Sequence, residues 1–324
     1  MGNLLRAKIA GSSEVAQPHP DKTDERDAQA IGRALLQDLA ELPEVKPDER
    51  HFTLSLVLTN REGLVKERTR VKNRLHQLLP YAHPAYAEYF GDPFGKTALA
   101  FFERYPSPGP LAEVTVADLG EFLRTQSNYY HGRPKAAAIL ERVTTLPPSG
   151  EFQGERDELV RATIQQLRQL ETNIQAAEVQ LARLLAGFGQ QLQSIPGVDV
   201  VAAAELLVGI GDVNRFATSD KLARYAGIAP KEWSSGGKGK LTRSAHGERQ
   251  LHRTFFRLAV VQVTRSRKGT PLCPESRAYY EKKLAEGKSK KAALTSLMRV
   301  LVRVVWRMLR ERAPYEKKVQ AGNK

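Results

Sequence analysis

The sequence predicts a mainly α-helical protein, and three stretches carry that expectation. Leu64, Val71, Leu75 and Leu78 follow one another at helical spacing and line one face. Val160, Leu167, Ile174 and Leu181 recur in heptads, with Leu170, Ala177 and Leu184 filling a second seam, the pattern of a coiled coil. Near the C-terminus, "SLMRVLVRVVWRMLRER" places Leu297, Leu301, Val304, Val305 and Leu309 on an apolar face. Arg299, Arg303, Arg307 and Arg310 step around the other side.

In chain order, residues 1–20 show little pattern. Thr23 then caps a helix, Asp24 and Glu25 suit its N-terminus, and Ala28, Ile31, Ala34 and Leu35 form its apolar face. The two prolines of "ELPEVKPDER" break it. A second helical stretch runs to about Leu79, its outer face the basic "KERTRVKNR", and the proline-rich, aromatic loop "PYAHPAYAEYFGDPFG" follows. Residues 97–145 read as a small helical subdomain, punctuated by "YPSPGP" and closed by "LPPSG". The heptad helix comes next, with Glu171 and Glu178 outside the strict seam. Its pattern fits either an intramolecular helix pair or a dimer arm.

In "SIPGVDVVAAAELLVGIGDVNRF", Pro196-Gly197 makes a tight turn before a small-residue helix through Ala202, Ala203 and Ala204. This resembles a helix-hairpin-helix, whose backbone N–H groups can approach a phosphate. Asp199 stands where a second glycine is common, so a purely structural hairpin remains an equal reading. Further on, Ser234, Ser235, Gly236 and Gly237 cannot belong to a regular helix interior, and "GGKGKL" is not a Walker A loop. A serine loop rimmed by Lys231, Lys238, Lys240 and Arg243 could bind phosphates or present a hydroxyl nucleophile to one. His246 and His252 are six apart, not helical neighbours, and read as polar residues near that loop or as phosphate contacts. Trp233 reads as a packing anchor. From residue 247 the chain returns to basic helices.

Composition narrows the class of partner. No run of about 18 apolar residues occurs and no signal-peptide pattern is present, so no membrane span is expected. The single cysteine, Cys273, excludes an internal disulfide and a cysteine-based zinc site and suits a reducing cytoplasm. Residues 231–324 hold 24 basic and 7 acidic side chains, whereas residues 1–230 hold 26 and 29. A positive excess confined to one region is the electrostatic footprint of a nucleic-acid binder; the bland alternative is a solvated basic helical surface. No amphipathic anchor accompanies the charge, which disfavours an anionic membrane surface.

Asp24 and Asp27, three apart, share a helix face and could hold a divalent cation, or could simply compensate the helix dipole. A metal-dependent nuclease normally gathers more acids than two. Several motifs together settle how the pair is read. "KTDERDAQAI", "REGLVKERTRVKNRLHQLL", "SIPGVDVVAAAELLVGIGDVNRFATSDKLARYAGIAP", "SSGGKGK" with "HGERQLHR", and "YYEKKLAEGKSKKAALTSLMRVLVRVVWRML" stand in one family's order across about residues 21 to 316. The chain resembles the DEDD-type insertion-sequence transposases, the "one hundred and ten" insertion-sequence family of bridge-RNA-guided serine recombinases.

The resemblance implies a RuvC-like domain with four acidic Mg²⁺ ligands, coiled-coil segments, and a helical transposase domain with a catalytic serine. Mapped here, residues 1–50 are the C-terminal remnant of the RuvC-like domain and residues 51–190 the helical, coiled-coil linker. Residues 191–316 are the transposase domain with its helix-hairpin-helix-like start and serine loop, and residues 317–324 a tail. Asp24 and Asp27 match the third and fourth acids. Ser235 matches the nucleophile, with Ser234 the runner-up. The first two acids would lie on strands preceding this chain's first residue, which implies an N-terminally truncated member with half its metal site missing and weak or absent catalysis. The implied partners are DNA, a guide RNA and a second copy through the coiled coil. The implied location is the cytoplasm, at the nucleoid. Lys238, Lys240, Arg243, Arg299, Arg303 and Arg307 are the expected nucleic-acid contacts. The competing reading is a non-catalytic DNA- or RNA-binding, dimerising fragment. A purely structural all-α assembly protein is disfavoured by the charge.

Overall fold

The computed structural model describes residues 28–29, 32–33, 48–147, 150–228, 230–233, 240–243, 247–266 and 269–316. Its helices are α1 (Glu49–Ala82), α2 (Tyr86–Tyr89), α3 (Lys96–Arg104), α4 (Val116–Gln126), α5 (Arg133–Thr144), α6 (Gln153–Ala186), α7 (Val200–Ile210), α8 (Ser219–Tyr225), α9 (Arg249–Val263), α10 (Pro274–Ala285) and α11 (Lys290–Glu311). One antiparallel hairpin, β1 (Pro230–Trp233) and β2 (Lys240–Arg243), sits between α8 and α9 in the chain. The fold is mainly helical, as expected; the hairpin is an addition to that expectation. Residues 28, 29, 32 and 33 are helical, but Ala28 is exposed rather than on a buried face. No helix of the described residues is long and apolar enough to cross a membrane.

The chain divides into two compact units, Thr59–Val179 and the combination of Met1–Leu58 with Gln180–Lys324. In the first, Val71, Leu75 and Leu79 of α1 are fully buried, while Leu64 and Leu78 are only partly so. Strict four-residue steps hold the first three on one side, and Leu78 falls to its edge. Val160, Ile164, Leu167 and Leu170 of α6 enter the same core. The Arg61 guanidinium donates to Glu178 at 2.8 Å and Arg74 to Gln166 at 3.2 Å, so α1 and α6 run antiparallel. The heptad seam is therefore buried within the chain: of the two arrangements its pattern fits, the structure has the intramolecular helix pair.

The rest of this core is aromatic. Tyr86, Tyr89, Phe90, Phe101 and Phe102 pack edge to face, each burying a large apolar area. His83 lies among them with no exposed surface, 4.9 Å from the Tyr89 ring centroid and 5.8 Å from that of Phe102. Neither ring nitrogen meets a hydrogen-bond partner among the described residues. Burial pushes its pKa down to about 4 from an ordinary 6.5.

In the second unit, α7 is buried along nearly its whole circumference, through Val201, Ala202, Ala203, Ala204, Leu206, Leu207 and Ile210. α9 and α11 pack on one another, α7 lies against α9, and α8 and α10 lie against α11. Leu251, Phe255, Leu258, Leu297, Leu301 and Val305 are the principal side chains between them. The Trp306 indole donates to the Phe216 carbonyl at 3.0 Å, fixing α11 to the segment before α8.

His83 makes the first unit acid-sensitive. As pH falls below 6.5 the unfolded histidine takes up a proton that the folded one refuses until about 4. Acidification across that window should therefore remove about 3 kcal/mol of stability. Urea melts at pH 7.5 and 4.5 should show this loss in the parent chain and its near-disappearance in His83→Leu.

Candidate nucleic-acid interface

The Pro196-Gly197 turn is built for packing. Gly197 has φ +84°, and a Cβ there would come within 3.1 Å of Val261 and Leu272 side chains. Gln262 donates to the Pro196 carbonyl at 2.8 Å. Asp199 caps α7 with its own carboxylate, which accepts from the Ala202 N–H at 2.7 Å. A phosphate approaching that helix end would meet a carboxylate already in place, so of the two readings of this segment the structural hairpin fits.

α7 carries one buried charge. Glu205, 4 % exposed, accepts from the Thr254 hydroxyl at 2.7 Å and the Arg257 guanidinium at 2.6 Å. Both donors come from α9, so this carboxylate sets where α9 stands along α7. The small residues of α7 allow the close approach: a Cβ on Gly209 would lie 3.3 Å from Leu251.

The register of α9 in turn seats the hairpin. Gly227 leads towards β1 and has φ +66°, and Gly247 follows β2. A Cβ on Gly247 would fall 2.7 Å from both the Cα and the N of Gly227. The Glu248 N–H donates to the Tyr225 carbonyl at 2.8 Å. The two ends of the hairpin thus cross at a point where only glycine fits. β1 and β2 pair in the register Pro230↔Arg243, Lys231↔Thr242, Glu232↔Leu241 and Trp233↔Lys240.

This places the expected site residues as follows. Lys240 and Arg243 are the first and last residues of β2. Ser234, Ser235 and Lys238 belong to the segment joining the two strands and, like Asp24 and Asp27, lie outside the described residues. Arg299 and Arg303 are exposed on α11, and Arg307 is half-buried beside them. Their acidic neighbours are loosely placed: Arg299 is 3.9 Å from Asp220 and Arg307 is 3.8 Å from Glu311. Exposed pairs of this length contribute little, so both guanidinium groups can be recruited by a phosphate at small cost.

A second basic stripe was not singled out in the sequence. Arg249, Arg253 and Arg257 succeed one another at four-residue steps along α9, all exposed. Arg257 is anchored by Glu205, while Arg249 and Arg253 have no acidic partner among the described residues. The signal was present in "RQLHRTFFR", whose period of four places its arginines on one face. Among the described residues, no group of three or more His, Cys, Asp or Glu could hold a metal ion.

Comparison with known proteins adds a family. The profile described as "Transposase IS116/IS110/IS902 family" matches residues 189–281, and a second, DEDD_Tnp_IS110, described as "Transposase", matches residues 7–84. The chain is 32 % identical over 325 residues to the insertion element IS110 uncharacterized 43.6 kDa protein of Streptomyces coelicolor, covering 94 % of this chain and 75 % of that one. It is 30 % identical over 303 residues to the IS116 uncharacterized 44.8 kDa protein of Streptomyces clavuligerus, covering 90 % and 72 %. A shorter likeness, 30 % over 130 residues, covers 40 % of this chain and 38 % of the pilin gene-inverting protein of Moraxella bovis.

The glycine crossing yields a direct test of the hairpin's seat. Gly247→Ala drives a methyl group into backbone that cannot rotate away, and should cost about 2 kcal/mol. Its melting temperature should fall, and amide exchange should accelerate at 230–233 and 240–243 before it does in α11. A variant as stable and as protected as the parent would show that the crossing does not hold the hairpin.

Proposed function

We propose, from the premise that the chain belongs to the IS116/IS110/IS902 transposase family, that it cuts and rejoins DNA through a serine nucleophile. The observation that carries this reading is the glycine-pinned hairpin, whose connecting segment contains Ser234 and Ser235 and whose second strand contributes Lys240 and Arg243. Directly after it comes an arginine-striped helix.

The Ser235 hydroxyl attacks a backbone phosphorus. An Oγ–P bond forms, the bond from phosphorus to one flanking sugar oxygen breaks, and that oxygen leaves as a hydroxyl after taking a proton. Rejoining is the reverse attack by another strand's hydroxyl, which restores serine. No external energy source is needed, because the phosphoserine conserves the phosphodiester bond energy. Lys238, Lys240 and Arg243 hold the phosphate oxygens, and Arg249 and Arg253 of α9 with the arginines of α11 bind neighbouring phosphates along the backbone. Asp24 and Asp27 offer hard oxygen donors, the chemistry Mg²⁺ takes, and a bound ion there would supply charge to polarise the phosphate. A guide RNA is the proposed source of target choice.

Two measurements test this reading. Binding to duplex DNA should weaken steeply with salt, since each phosphate contact releases counterions. The combined Arg299→Ala, Arg303→Ala and Arg307→Ala variant should lose affinity about equally on unrelated sequences, with a shallower salt slope. Binding that is insensitive to salt would sink the interface. In the presence of Mg²⁺ and a guide RNA, a covalent protein–DNA adduct should form that is lost in Ser235→Ala and kept in Ser234→Ala. If only salt-sensitive binding is found and no adduct forms, the non-catalytic binding reading replaces the enzymatic one.

A further inference from the structure

Among the exposed aromatic residues of unit Thr59–Val179, two stand side by side in the sequence. Tyr129 is 76 % exposed and Tyr130 84 %, in the turn between α4 and α5. The backbone there is unusual: Asn128 has φ +50° and Tyr129 φ +66°, consecutive left-handed residues neither of which is glycine. Such strain persists only where the surroundings enforce it.

Those surroundings are well defined. The Ser127 hydroxyl accepts from the His131 N–H at 2.7 Å, and the Tyr129 N–H donates to the Arg124 carbonyl at 2.8 Å. Behind the turn the two helices close tightly, since a Cβ on Gly120 would lie 2.9 Å from the Arg133 side chain. Each ring is also held from one side. The Arg124 guanidinium sits 5.1 Å from the Tyr129 ring centroid, and the His131 ring meets Tyr130 edge-on at 4.8 Å. Arg124 is paired with Glu121 one helical turn back, at 2.9 Å, which leaves Arg133 and Lys135 as the cations of this turn with no acidic partner among the described residues.

We infer that this turn is a stacking platform for the unpaired bases of a DNA strand, with Tyr129 and Tyr130 offering π-faces and Arg133 and Lys135 attracting the adjoining phosphates. The chemistry selects an unpaired strand, because only bases freed from a duplex expose faces to stack on such rings. Charge selects nucleic acid over an apolar protein partner: Arg133 and Lys135 follow the rings in the chain, and neither has an acidic partner among the described residues. The inference rests on the reading of the chain as a DNA-acting transposase and extends it. It assigns a second contact region, outside the unit that carries the serine hairpin and the arginine stripes, with a different preference for strandedness.

The test uses the full chain and a fluorescein-labelled 20-nucleotide polydeoxythymidine, with a duplex of mixed sequence as comparison. The Tyr129→Ala, Tyr130→Ala double variant should bind the single strand about ten-fold or more weakly and the duplex unchanged. Tyr129→Phe with Tyr130→Phe should keep single-strand affinity, and Tyr129→Leu with Tyr130→Leu should lose it. Irradiation with a 5-bromodeoxyuridine oligonucleotide should cross-link Tyr129 or Tyr130. Unchanged single-strand binding by the alanine variant overturns the inference, as does an equal loss on single strand and duplex. Tighter binding of polyuridine RNA, with the tyrosine effect confined to it, overturns the assignment to DNA. Because duplex binding and its salt dependence are read in parallel, a failure of the platform is distinguishable from a failure of the transposase reading.

Discussion

A carboxylate inside an apolar helix constrains its neighbours more than any of the residues around it. Glu205 can remain within the α7 core only while donors stand beside it, because an ionised group stripped of water and partners is costly. Thr254 and Arg257 meet that need from a single helix, and so fix α9 in register on α7. Two consequences run outward from that register. At the start of α9, Gly247 comes to rest on Gly227 and closes the base of the hairpin. Along α9, the same rotation that turns Thr254, Phe255 and Leu258 inward leaves Arg249 and Arg253 in solvent. Core chemistry and surface charge are thus two faces of one helix placement.

The parts of this architecture that were legible in the sequence are those written as long periodic patterns. Leu297, Leu301, Val305 and Leu309 are buried as their spacing requires, with only Val304 left partly exposed. The heptads of α6 also held as a buried seam, but periodicity states that a partner exists, not whose it is. Arg61 and Arg74 answer that question through contacts over a hundred and about ninety residues away, which no local pattern encodes. The hairpin escaped notice because four-residue strands are too short to show alternation beside a glycine-rich connection. Glu205 escaped for a related reason: inside "AAAELL" it reads as one polar position on a small-residue helix. Only the arrival of α9 reveals that it is enclosed. Among candidate site residues, Lys240 and Arg243 fall on β2 and the α11 arginines on an accessible side, whereas the α9 stripe was hidden by the histidine and phenylalanines between its members.

The aromatic residues make the same point in another way. Tyr89 and Tyr129 belong to the same residue type and the same unit, yet one is enclosed beside His83 and the other stands in water. Their difference lies in backbone. Tyr89 ends a short helix folded onto α3, while Tyr129 lies within a chain reversal in which it and Asn128 adopt a left-handed conformation. Hydrophobicity alone would bury both; a rigid turn between two tightly closed helices keeps the second from following.

The Gly227–Gly247 crossing has a bearing on how this chain can vary. With both strand ends brought together at one backbone contact, the hairpin joins the helical unit as a loop joins a clasp. Lengthening or shortening the segment between β1 and β2 leaves unaltered the distance that α8 and α9 must span. The helices then impose no length on the segment, so selection can remodel its reach and composition while the core keeps its packing. The cost of that freedom falls on Gly247, which has no room for a side chain, and on Gly227, whose φ of +66° strains any residue but glycine.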